Sequence, residues 1–194
     1  TLYGMDAQFR PQPQMVEGHS VEDDGKRVVI TLRDGLRWHD GERVTAEDCV
    51  VSVRRWMRRN PSGQQLERQL DELSALDDRR LQFRLKKPFP LLFTALASSV
   101  NPVAFMMPAR IAATDPFQQF REVVGSGPFR FVQREYNSGS LAVYERNRDY
   151  QPNPNGPTSF TAGPKVTHFD RIEWHIIVDA ATAAGALQTG EIDW

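Results

Sequence analysis

The chain has a single cysteine in 194 residues, Cys49, so no intramolecular disulfide can staple it. It has no apolar run near the roughly 18 to 20 residues that a membrane-crossing helix needs. Net charge is also scarce: 24 basic against 25 acidic side chains leave −1 at neutral pH. That balance argues against nucleic acid as the main partner, because phosphate contacts demand a concentrated basic surface. Arginine clusters only locally, at Arg54, Arg55, Arg58 and Arg59, where helical spacing turns it away from the apolar stripe as a solvated face. Cysteine poverty suits a reducing compartment and a large exported fold equally, and so does not decide location. The chain has no initiating Met and no basic-then-apolar leader, so a secretory signal is expected to be absent from it.

What is present is ordinary for a globular domain with a real core: 40% apolar and 25% charged residues. Residues 1–17, with Pro11 and Pro13, read as an extended lead-in. The segments 19–23 and 27–32 flank Asp24-Gly25, a hairpin signal, and Val28, Ile30 and Leu32 alternate as in a half-buried strand. Asp34-Gly35 and Asp40-Gly41 mark two further reversals. Thr45 with Asp48 three residues on forms a capping-box variant. It opens a helix over 46–59 that ends at Asn60-Pro61. A second helix is predicted over 64–73, then a hairpin through Asp77-Asp78-Arg79 with Leu81, Phe83 and Leu85 alternating. Pro88 opens an apolar helix over 89–97, Pro108 a short one, and Asp115-Pro116 another. Gly125-Ser126-Gly127-Pro128 breaks the chain before a strand over 129–134. Asn137-Ser138-Gly139 turns it into 141–146, and a Pro/Gly/Asn loop spans about 151–165. A last strand holds Ile172, Trp174 and Ile176, and Asp179 caps a final helix to Gln188. This order gives a mixed α/β fold, α+β in character, without internal repeats.

Few residues announce chemistry. His39-Asp40 could be a general-base pair, yet neither a nucleophile nor a third group stands nearby, and a turn with Asp40 bonding backbone and Trp38 packed down outweighs it. Cys49 lies near a helix start but on its apolar stripe, where core packing outweighs reactivity. A hydrolase using His39 or Cys49 is thus the weakest alternative. His168 and His175 project to opposite faces, and His19 with His39 lack a third ligand, so no metal site and no cofactor is expected. Gly125-Ser126-Gly127 lacks the Lys-Ser/Thr of a phosphate loop and no helix follows it, so a tight turn is the stronger reading. Phe105, Met106 and Met107, with Asn101 at the head of their proline-bounded apolar stretch, are the candidate ligand-binding residues, since methionine adapts to varied partners. Plain core filling is an equal alternative for them.

Several words along the chain carry a resemblance. Arg33-Asp34-Gly35, Trp38-His39-Asp40-Gly41 and Val44-Thr45-Ala46-Glu47-Asp48 resemble the signature of family 5 extracytoplasmic solute-binding proteins, the peptide- and nickel-type receptors of ABC importers. Val124 to Phe129 is similar to that family's Val-Gly-Thr-Gly-Pro-Tyr, with Ser126 and Phe129 as mild departures. Glu145 to Tyr150 is similar to its Glu-Arg-Asn-Pro-Asp-Tyr, with Arg148 in place of proline. Phe169 to Ile172, Ile177 to Ala180 and Ala186 to Asp193 follow in the same order.

The resemblance implies a two-lobed, hinged receptor of periplasmic-binding-protein-like fold (class II type), which closes over an oligopeptide or dipeptide and delivers it to permease subunits. It implies a periplasmic location, with the membrane met only through the permease. A nickel-type metal or metal-chelate ligand is the alternative, although Val103-Ala104-Phe105 lacks the arginine that nickel-binding relatives carry in that stretch. On this reading residues 1–194 are one partial domain, a fragment of the first lobe with the second lobe absent. Its β-rich sub-region would be 1–45 plus 122–194, and its helical sub-region, with a hairpin, 46–121.

Overall fold

The computed structural model describes all 194 residues, Thr1 to Trp194. They form two compact units, Thr1–Pro128 with Asn147–Val166, and Phe129–Arg146 with Thr167–Trp194.

The first unit opens with two short antiparallel strands, β1 (Tyr3–Met5) and β2 (Pro11–Pro13). The lead-in is therefore extended as predicted, but paired and buried: Leu2 and Tyr3 are 0% and 1% exposed. A two-stranded ribbon has only edges, so the prolines of β2 cost few ladder bonds. Next comes the hairpin of β3 (Val16–Glu22) and β4 (Arg27–Leu32), turned by Asp23–Gly25 with Asp24 and Gly25 at φ of 52° and 83°. Helix α1 (Ala46–Met57) starts at the predicted capping box, with the Thr45 hydroxyl accepting from Asp48 N and Asp48 accepting from Thr45 N.

Helix α2 (Pro61–Gln69) begins before the predicted Gln64, because Asn60 caps it by accepting from Ser62 N and Gly63 N, and Pro61 fits the first turn. It also ends early. Residues Leu70–Ala75 form strand β5 against β6 (Arg80–Leu85), with Leu73 opposite Phe83. Burial of Leu73 in the sheet overrides the local helical pattern. The four strands pair in the order β3-β4-β6-β5. Val28 and Ile30 face Phe83 and Leu81 across the β4–β6 ladder, and Cys49, Val53 and Trp56 of α1 join the same core. Residues 1–45 thus share one core with the stretch 46–121, because β4 pairs with β6; the sequence groups them instead with 122–194.

The predicted helix over 89–97 shrinks to α3 (Leu92–Ala97), since Pro90 keeps Phe89 out of the helical region. Helix α4 (Ala109–Ala112) follows Pro108 as predicted. No helix follows Asp115; its carboxylate accepts from Phe117 N at 2.8 Å and makes a turn instead. The loop 151–165 returns to the N-terminal ribbon. Thr161 Oγ1 accepts from Met5 N at 2.7 Å, and Asn153, 1% exposed, donates to Pro13 O at 2.9 Å. Gly4 permits that approach, because a Cβ there would lie 2.4 Å from Thr161 O.

The second unit is a three-stranded antiparallel sheet of β7 (Phe129–Phe131), β8 (Leu141–Arg146) and β9 (Arg171–His175), with helix α5 (Ala180–Thr189). The strand predicted over 129–134 stops at Phe131, and Gln133–Glu135 forms a 3-10 turn. Gly139 at φ 76° makes the predicted hairpin reversal. Asp179 caps α5 by accepting from Thr182 N, and Gly190 in the left-handed region ends it.

Candidate functional site

A cleft of about 730 Å³ opens in the first unit, and all four candidate ligand-binding residues line it. They do so differently. Asn101 and Phe105 are exposed, Phe105 by 60%, and Met107 is half-buried. Met106, 5% exposed, belongs to the core and forms part of the cleft floor. The stretch is held by α1: Ser52 Oγ accepts from Met107 N at 2.9 Å and donates to Met107 O at 3.0 Å. Trp56 Nε1 and Asn60 Nδ2 both donate to Pro102 O at 2.9 Å. Helix α1, with the Asn60 cap of α2, thus fixes both ends of the irregular segment, and these side-chain donors supply bonds that the segment's own backbone lacks.

The far wall is Val123 to Pro128, and here two sequence words meet. His39 N donates to Gly125 O at 2.8 Å, and the His39 ring spans Gly125 N at 3.3 Å and Gly127 O at 3.0 Å. The pattern requires Nδ1 as acceptor and Nε2–H as donor, which makes a neutral imidazole the form that fits. A Cβ on Gly125 would stand 3.2 Å from that ring, so glycine provides the close approach. The Gly125–Gly127 segment is therefore a tight turn, and His39 is its clasp. Asp40 accepts from Glu42 N at 3.1 Å, Trp38 is 2% exposed, and Arg110 joins Asp40 and Glu122 at 2.7 and 2.6 Å.

Asp48 ties these parts together. It accepts from Trp38 Nε1 at 3.1 Å, from Thr45 N and Oγ1 at 2.8 and 2.9 Å, and from Ala109 N at 2.7 Å. The capping box was legible in the chain; the tie to Trp38 and Ala109 had no local signal.

The arginine cluster does not behave as one solvated face. Arg55 is 7% exposed and donates to the carbonyls of Thr114, Ala112 and Gln118, with its guanidinium 5.9 Å from the Phe120 ring centre. Arg54 donates to Leu73 O at 2.6 Å. Helical spacing placed both on the outer face, but strand β5 supplies a carbonyl acceptor to Arg54, and α4 with the segment after it supplies those of Arg55. Cys49 is fully buried, and burial pushes its thiol up to about 12, the reverse of an activated nucleophile. His19 does not meet His39. It takes a 3.0 Å hydrogen bond with Tyr3 Oη, stacks 4.2 Å from Phe93, and its pKa is lowered by burial. His175 instead meets Glu173 at 3.2 Å.

Comparison with known proteins places this geometry. The family described as bacterial extracellular solute-binding proteins, family 5 Middle, matches residues 10–194. A probable peptide ABC transporter periplasmic-binding protein of Sinorhizobium fredii is 41% identical over 196 residues, covering 100% of this chain and 36% of the relative. A glutathione-binding protein of Pectobacterium atrosepticum is 30% identical, covering 98% of this chain and 34% of that protein. Among solved structures, NikA of Brucella suis in complex with Fe(III)-EDTA superposes with a TM-score of 0.75 at 21% identity, over 98% of this chain and 36% of that one. The chain spans about a third of the length of the relatives it matches, and its mixed α/β architecture is that of the corresponding part of such a receptor. With the family matched from Arg10 to Trp194, the chain belongs to family 5 of the bacterial extracellular solute-binding proteins.

Proposed function

We propose that the protein containing this chain captures oligopeptides or dipeptides outside the cytoplasm and delivers them to the permease of an ABC importer. Its family consists of solute-binding proteins, not enzymes. The observation that carries the ligand class is the cleft beside Asn101 to Met107, read with the 41% identity to a probable peptide-binding relative. A large, mostly apolar cleft with adaptable methionines accepts varied side chains, while a few polar groups orient a backbone. Asn101, Phe105 and Met107 would face the ligand and Met106 would support them from below. The metal-chelate reading has less behind it. The likeness to NikA is at 21% identity, a level that carries the fold alone, and Val103 to Phe105 present no arginine, although Arg33, Arg55 and Arg59 elsewhere in the lining are of the kind an anionic chelate would need.

In such a receptor the bound state is favoured by contacts that two lobes make together on closure. One cleft wall by itself offers only part of them. A peptide present at a hundredfold excess over its Kd is expected to stabilise the full-length protein by about 2.7 kcal/mol, and the isolated 194-residue chain by far less. Thermal-shift titration of both with a panel of short peptides tests this. A large shift of the isolated chain, or none of the full-length protein with any peptide, would overturn the reading.

A further inference from the structure

The charges lining the cleft are unbalanced. Arg33, Arg55, Arg59 and Lys165 stand around it against one acid, Glu122, and that acid is already held by Arg110. Elsewhere in the chain arginines are commonly ion-paired: Arg27 with Glu22, Arg79 with Glu17, Arg80 with Asp77, Arg171 with Glu135 and Glu173. None of the four cleft cations is. Arg33 gives its N–H groups to the carbonyls of Gln14 and Gln151, at 3.0 and 3.3 Å, and Arg55 gives its own to Thr114, Ala112 and Gln118. Carbonyl dipoles orient these guanidinium groups without neutralising them; Asp115 offsets part of the Arg55 charge from a distance, and Arg33 has no acidic partner. Lys165 spends one donor on Thr161 O at 3.0 Å, which leaves two of its three N–H bonds free. Arg59 is exposed, and its only hydrogen bond runs from its backbone N–H to Trp56 O, so its guanidinium is free.

An apolar concavity rimmed by uncompensated charge of one sign focuses a field and raises the local concentration of ligands of the opposite sign. We propose that this cleft selects negatively charged ligands, in the form of peptides rich in carboxylates, with Arg59 and Lys165 as the anchors and Arg33 and Arg55 as fixed positive background. Arg59 and Lys165 are the groups with donors to spare. Arg33 and Arg55 are locked by the backbone and contribute at longer range, while Trp56 and Phe105 supply apolar surface for the rest of the ligand. This inference rests on the peptide-receptor reading but goes beyond it, because that reading is indifferent to ligand charge.

The test uses the full-length protein and titration calorimetry with acidic, neutral and basic tripeptides of one backbone length, and with simple mono- and dicarboxylates. The acidic peptide is expected to bind at least tenfold tighter than the basic one, with the preference shrinking as salt rises from 50 to 500 mM. Arg59→Gln and Lys165→Gln should each weaken the acidic peptide about three- to fivefold and the neutral one, which offers only its terminal carboxylate, by less, whereas Lys87→Gln, an exposed cation outside the cleft, should change neither. Peptides bound without charge preference, or with a basic preference, would overturn the inference and leave the peptide reading standing. Carboxylates bound and peptides not would overturn the peptide reading and keep the cleft's preference for anions. Binding of neither class would overturn both.

Discussion

At the scale of single residues, the side chains that organise this molecule are those joining distant stretches. Asp48 accepts from an indole, a hydroxyl and two backbone amides on three separate segments. Asp48→Ala strips all of those donors of their partner and is expected to cost about 3 kcal/mol, against about 1 kcal/mol for Thr45→Ala, which removes the cap alone. Urea denaturation of the two variants measures the difference. Cys49 makes a second residue-scale prediction. Its buried thiol, pushed up to about 12, should resist a thiol-directed disulfide reagent at pH 8 in the native protein and react as soon as the chain is unfolded. Prompt native-state labelling would contradict the burial. Asp6 gives a pH dependence. Bonds to its carboxylate, first from Arg10 N and then from Gln12, Arg10 Nε and Gln8 N, hold its pKa below the ordinary value of 3.8. A carboxyl whose folded pKa is depressed adds stability that is present above its unfolded pKa and lost as pH falls through the folded one. Asp6→Asn should therefore flatten the loss of thermal stability below about pH 4, which melting curves at a series of pH values would show.

At the scale of elements, local signals fared well where one residue type decides the matter. The capping box of α1, the Asp24-Gly25 reversal and the Asp179 cap all lie where spacing places them. Elements moved where two local signals competed. Asn60 and Pro61, read as the end of one helix, are also the start of the next. Leu70 to Leu73 fit a helical pattern but belong to β5 and pair with β6, because the ladder buries Leu73 at 1% exposure. The short β1 and β2 ribbon had no periodic signal, since three-residue strands are too brief to display one. Stability should follow the same division. The second unit buries only Val132, Val143 and Ala186 among its apolar side chains, while the first carries the continuous core. Amide hydrogen exchange is expected to be slowest in β4, β6 and α1 and at least tenfold faster in β7 to β9. Equal protection in both sets would show that the second unit draws stability from more than its own core.

At the scale of the whole molecule, the sequence determined the family, because its signature words are local strings whose order survives without knowledge of contacts. It also gave the class of fold, the helix caps and the stretch from Asn101 to Met107. Only the tertiary structure decided that this stretch lines a cleft, that His39 clasps the Gly125–Gly127 turn, and that Arg55 is buried rather than solvated. The physical reason is one of range. Turn chemistry, capping and periodicity act over a few residues and leave their mark in neighbouring letters. Burial of a charge, or the meeting of residues 39 and 125, depends on which surfaces the fold brings together, and no short window of the chain contains both partners.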